Sequence, residues 1–79
     1  MKVRIHITLK SGVLDPQGKA IENALNHLGF SGISEVRQGK LIELTLKETD
    51  LIQARAKIDD MCQQLLANTV IETWHVEFL

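Results

Sequence analysis

A strict two-residue alternation governs the first ten residues. Val3, Ile5, Ile7 and Leu9 fall on one side, Lys2, Arg4, His6, Thr8 and Lys10 on the other. Only extended backbone puts every second side chain on one face, so Lys2–Lys10 is expected to be a strand with one buried and one open side. An amphipathic strand needs partners, and the rest of the chain must supply them.

Asp15-Pro16 marks the start of a helix. An Asp N-cap accepts from free backbone donors, and Pro at the first helical position loses no hydrogen bond. Ala20, Ile21, Ala24, Leu25 and Leu28 then repeat at helical spacing, and Gly29 suits a left-handed stop with Phe30 folding back on Leu25. The helix is placed at 16–28. A short second strand is expected at Ile33–Arg37, a turn at Gln38-Gly39, and a third strand at Lys40–Lys47 with Ile42, Leu44 and Leu46 inward. A second helix opens at Glu48 or Thr49, carries Leu51, Ala54, Ile58, Met61, Leu65 and Leu66 inward, and ends near Ala67-Asn68. The last strand, Val70–Phe78, turns Trp74, Val76 and Phe78 to the core.

The order strand, helix, strand, strand, helix, strand, with right-handed crossovers, gives an α+β class: a ferredoxin-like βαββαβ sandwich with two helices on one face of an antiparallel sheet. All 79 residues make one domain. The other sheet face carries Lys2, Arg4, His6, Thr8, Glu43, Thr45, Thr73, His75 and Glu77, with Leu41 and Ile71 among them. It is either a solvated face or a polar docking surface, because a chain this small gains by burying more area.

Composition narrows the function. Nine basic and ten acidic residues give a formal charge of −1, without the basic excess of a nucleic-acid binder, and two Phe and one Trp make a poor base-stacking surface. No apolar run approaches membrane-spanning length and no leader pattern opens the chain, so a soluble cytoplasmic protein is expected. The lone Cys62 excludes an intrachain disulfide.

No catalytic constellation emerges. Gly12–Lys19 imitates a phosphate loop, but five residues separate Gly12 from Gly18 where Walker A has four, Ala20 follows Lys19, and Asp15 puts negative charge where phosphate would sit. His6 and His75 share a face and with Glu43 or Glu77 could in principle supply the three ligands a metal needs, but surface histidines on a mixed-charge face are far commoner. Cys62, within the apolar stripe of the second helix, reads as a small buried hydrophobe. Asp59 and Asp60 project ~100° apart on a helix and read as solvated. Neither catalytic, cofactor nor metal residues are assigned.

The run Lys10-Ser11-Gly12-Val13-Leu14-Asp15-Pro16-Gln17-Gly18-Lys19-Ala20 resembles the N-terminal signature of the PurS family, the small subunit of phosphoribosylformylglycinamidine synthase. Leu28-Gly29-Phe30, Val36-Arg37-Gln38-Gly39-Lys40 and Glu43-Leu44 continue the pattern, and the likeness runs over essentially the whole chain. Thr69 stands where many relatives have Pro.

That resemblance implies a non-catalytic assembly subunit in de novo purine biosynthesis. It pairs with itself, as a homodimer or homotetramer, and bridges a PurQ-type glutaminase and a PurL-type synthetase. The glutaminase releases ammonia from glutamine. The synthetase uses ATP and magnesium to convert formylglycinamide ribonucleotide to formylglycinamidine ribonucleotide. The small chain binds no cofactor itself and aids ammonia transfer. Lys10, Gly12, Val13, Asp15, Gln17, Arg37, Gly39 and Lys40 are the candidate partner interface. Among them Lys10, Arg37 and Lys40 have no folding role visible in the sequence. The alternatives are a ferredoxin-like regulatory module that binds a small ligand and, disfavoured by charge, an RNA-binding domain.

Overall fold

The computed structural model describes residues Met1–Leu79 and has the expected α+β class, an antiparallel sheet with two helices. Strand β1 is Lys2–Leu9, helix α1 Pro16–His27, strand β2 Lys40–Thr45, helix α2 Leu51–Met61, and strand β3 Glu72–Phe78. The sheet order is β2-β1-β3, with β1 antiparallel to both neighbours. The register sets Ile5 opposite both Ile42 and Val76, so the inward rows of the three strands coincide.

The alternation read from the sequence is what builds the core. Val3, Ile5 and Ile7 are fully buried and meet Ile58, Cys62 and Val76, with Ala54 buried on the same side of α2. Ile42, Leu44, Leu46, Trp74 and Phe78 pack around them, as their inward assignment requires. Burying a Val or Ile side chain contributes ~1.5–3 kcal/mol, so this row on β1 is the main apolar contribution of a thin domain.

Both helix starts are capped by aspartate. Asp15 Oδ1 accepts from Gly18 N at 2.8 Å and Asp50 Oδ1 from Ile52 N at 2.9 Å. The second helix therefore begins at Leu51 under Asp50, not at Glu48 or Thr49. Glu48 instead braces the approach, accepting from Thr49 N, Asp50 N and Lys57 Nζ. Helix α1 ends as anticipated: Phe30 N donates to Leu25 O, Gly29 N to Asn26 O, and Gly29 has φ +96°, a Schellman stop. Helix α2 passes into a π-helical turn at Cys62–Leu66, closed by Ala67 N donating to Cys62 O. No local pattern announces that widening.

Two further expectations are corrected. Residues 33–37 form no strand: no ladder pairs the chain between Gly32, at φ +79°, and Gly39, and Glu35 takes φ +56°. A left-handed residue breaks the pleat that a ladder requires. Helix α1 also leaves its stripe outside the core. Its only buried residue is Gly18, and no α1 side chain belongs to the core cluster or the apolar residues packed against it. The body is correspondingly long, 48 × 25 × 15 Å.

Candidate interaction site

The proposed contact residues come together at one end of the sheet, where the loop after β1 meets the segment leading into β2. Asp15 organises the junction. Its Oδ1 holds Gly18 N and its Oδ2 holds Gln38 N at 2.7 Å. These backbone donors, Gln38 first, keep its carboxyl below the ordinary carboxylate range, and the Arg37 guanidinium adds to the effect. Asp15 is thus interior, 6% exposed, and cannot itself present a surface to a partner. What it does is fix the surface formed by its neighbours.

Arg37 completes the clamp from outside. Nη1 donates to Val13 O at 2.8 Å and Nη2 to Lys10 O at 3.2 Å, so one planar fork ties two loop carbonyls to the segment before β2. Gln38 Nε2 donates to Gln17 Oε1 at 2.9 Å. Lys10 Nζ donates to Thr69 O at 2.9 Å, and Lys40 Nζ lies 3.5 Å from Glu72 Oε2. Lys10, Arg37 and Lys40 therefore all have folding roles, contrary to the sequence reading. Their partners lie 24 to 59 residues away for Arg37 and Lys10, beyond the reach of any local pattern.

The glycines at this junction mark close approach of backbones. A Cβ on Gly18 would sit 2.4 Å from Val36 O, and one on Gly39 would sit 2.6 Å from Ile7 O. Gly39 accordingly serves packing against β1 more than a turn. Gly12, Gln17, Lys10, Arg37, Gly39 and Lys40 stay exposed, and Val13 is half-buried. Glu22 adds a second tie, accepting from Val36 N at 3.3 Å, and its carboxyl is lowered first by that donor and then by Lys19. The helix N-terminus where an anion would bind is already filled by the Asp15 carboxylate.

On the open sheet face Arg4 bridges the outer strands, with Nε 3.1 Å from Glu43 Oε2 and Nη1 3.5 Å from Glu77 Oε1. His6 and His75 are cross-strand neighbours with ring centroids 6.1 Å apart. No three His, Cys, Asp or Glu side chains converge as a metal would need. Cys62 is fully buried, and burial, with Asp59 adding, pushes its thiol up, away from the reactive thiolate. Asp59 is not simply solvated: it accepts from Trp74 Nε1 at 3.0 Å. No helix is long and apolar enough to cross a membrane.

Comparison with known proteins decides the family. Residues 2–79 match the family model described as PurS: Phosphoribosylformylglycinamidine (FGAM) synthase. The chain belongs to the PurS family. A PurS subunit from Synechocystis is 53% identical over 74 residues, covering 94% of this chain and 74% of the relative, and one from Bacillus subtilis is 42% identical over 76 residues, covering 96% and 89%. The crystal structure of PurS from Methanocaldococcus jannaschii superposes with TM-score 0.86 at 38% identity, covering 96% of this chain and 92% of that one. A chain in the structure of PurLQS from Thermotoga maritima superposes with TM-score 0.89 at 31% identity, covering 99% and 95%. Membership in PurS makes the chain a non-catalytic subunit of phosphoribosylformylglycinamidine synthase, a ligase of purine biosynthesis. The βαββαβ chain order read from the sequence matches the PurS structures, although the segment before β2 forms no paired strand in this chain.

Proposed function

We propose that this single PurS-like domain works as an assembly subunit in the cytoplasm. It joins copies of itself, as a homodimer or homotetramer, and bridges the synthetase and glutaminase subunits of the ligase. ATP and magnesium act on the synthetase, and this chain binds no cofactor. Its part in the chemistry is positional: it helps enclose ammonia between the two active sites, where proximity replaces loss to bulk water.

The observation that carries this reading is the TM-score of 0.89 to a chain within the Thermotoga PurLQS structure. The junction of Lys10–Gly18 with Arg37–Lys40 supports it as a contact surface. Asp15, Arg37 and Gln38 make that exposed loop rigid, and a rigid loop loses little entropy on docking. Reconstitution tests the reading. Glutamine-dependent turnover by the two larger subunits should require this chain, and the 79-mer alone should turn over nothing. Equal turnover without it would remove the proposal.

A further inference from the structure

Two of the three histidines, His6 and His75, sit directly opposite each other on the open sheet face, one on β1 and one on β3. The ladder fixes them there. It runs in register from Val3 opposite Phe78 to Leu9 opposite Glu72, with this pair at its centre. Directly opposite residues hold their Cβ atoms ~4.5–5.5 Å apart. The two ring centroids stand 6.1 Å apart, with their planes inclined by 37°. His27, by contrast, lies on α1 with Nδ1 against Asn23 O. The rings of the pair bond to no other protein group, His6 half-buried and His75 exposed, and neither belongs to the core beneath.

The charges around the pair admit a cation. Arg4, on the same side of β1, is shared between Glu43 at 3.1 Å and Glu77 at 3.5 Å, so one guanidinium is set against two carboxylates. Thr8 and Thr73 flank the pair on the other side, and Leu41 faces His6 from β2. Neutral imidazole is the commonest protein ligand for metals and suits zinc, copper and nickel. A metal ~2.0–2.1 Å from one nitrogen of each ring would hold the centroids roughly 5 Å apart, so the rings need to close by only about 1 Å. Three converging protein ligands, the requirement of a resident metal, are absent. Two on facing strands suffice for a chelate whose other positions stay with water.

We propose that His6 and His75 form a two-point chelate for a divalent transition metal of the zinc type, clipping the first strand to the last. The clip is exchangeable and takes no part in the ligase reaction. Once one imidazole holds the metal, the other binds it intramolecularly, at the effective concentration the ladder sets. That raises affinity ~100-fold over a single histidine. Only the folded chain brings these two rings together, so the metal selects the native state and stabilises it by mass action.

The test titrates zinc alone into the full chain, followed by the carbon-bound imidazole proton resonances and by thermal melting. His6 and His75 should shift together and saturably while His27 stays in place, and the melting temperature should rise with zinc. His6→Ala and His75→Ala should each weaken binding ~100-fold, and His27→Ala should leave it unchanged. Magnesium, which takes oxygen ligands, should move none of the three. Zinc in large excess that moves neither ring of the pair, or moves all three histidines alike, overturns the proposal. So does an affinity that survives either single variant of the pair. Should a variant lose its fold, the parent's resonances decide alone, and the absence of a joint shift of His6 and His75 leaves a stacked pair only.

Discussion

The Asp15 carboxylate accepts the backbone N–H of Gln38 across 23 residues at 2.7 Å while its other oxygen caps α1. A single side chain thereby sets both the start of the helix and the entry to β2. Its lowered carboxyl gives the first prediction. A depressed native pKa contributes stability above the ordinary value, 3.8 here, and the contribution is lost as pH falls through the native value. Glu22 and Glu48, lowered from 4.5, act in the same direction. Melting temperature should hold between about pH 7 and about pH 5 and fall below that range. Asp15→Asn should melt lower than the parent at neutral pH, with the gap closing toward about pH 2. A gap of constant size across thermal melts at both ends of that range would contradict this.

Gly18→Ala should destabilise by ~1–3 kcal/mol, because the new methyl meets Val36 O at 2.4 Å and Asp15 Oδ2 at 2.7 Å. Helix propensity alone favours Ala over Gly by ~0.5–1 kcal/mol. Urea titration thus reads the sign directly: stabilisation would mean that the two backbones are not in close approach.

Arg37→Lys preserves the charge and loses the fork. Amide hydrogen exchange of residues 10–14 should accelerate, with the β1 ladder unchanged, since Val13 O and Lys10 O lose their shared donor. Unchanged exchange in that loop would show that the fork does not hold it.

Ile58→Ala should cost ~2–5 kcal/mol by denaturant titration, as Ile58 is fully enclosed between α2 and the β1 row. Cys62, on the same side of α2, should resist thiol reagents in the folded chain and react on unfolding. Rapid labelling under native conditions would contradict its burial.

What could be read in the sequence was what neighbouring residues decide. The alternation of Val3, Ile5 and Ile7 located β1 and the buried face. Asp15-Pro16 and Gly29-Phe30 bracketed α1 to within a residue, because caps are local chemistry. Ile33–Arg37 misled because its backbone is not pleated: Glu35 turns left-handed and Glu22 holds Val36 from the side. The Asp15 and Arg37 bonds draw the loop after β1 and the segment before β2 together. The roles of Lys10, Arg37 and Lys40 were invisible because each depends on a carbonyl or carboxylate brought near only by folding. Trp74 and Asp59 are 15 residues apart on different elements, and nothing in either neighbourhood announces their bond.

The central place of β1 has a temporal consequence. It is synthesised before either neighbour, yet its ladder with β3 joins Val3 to Phe78 and Leu9 to Glu72. The strand must wait, half paired at best, until β3 has followed it. Closure across so long a separation is slow compared with helix formation. The helices are therefore free to form during synthesis, while the sheet that unites them is completed after it.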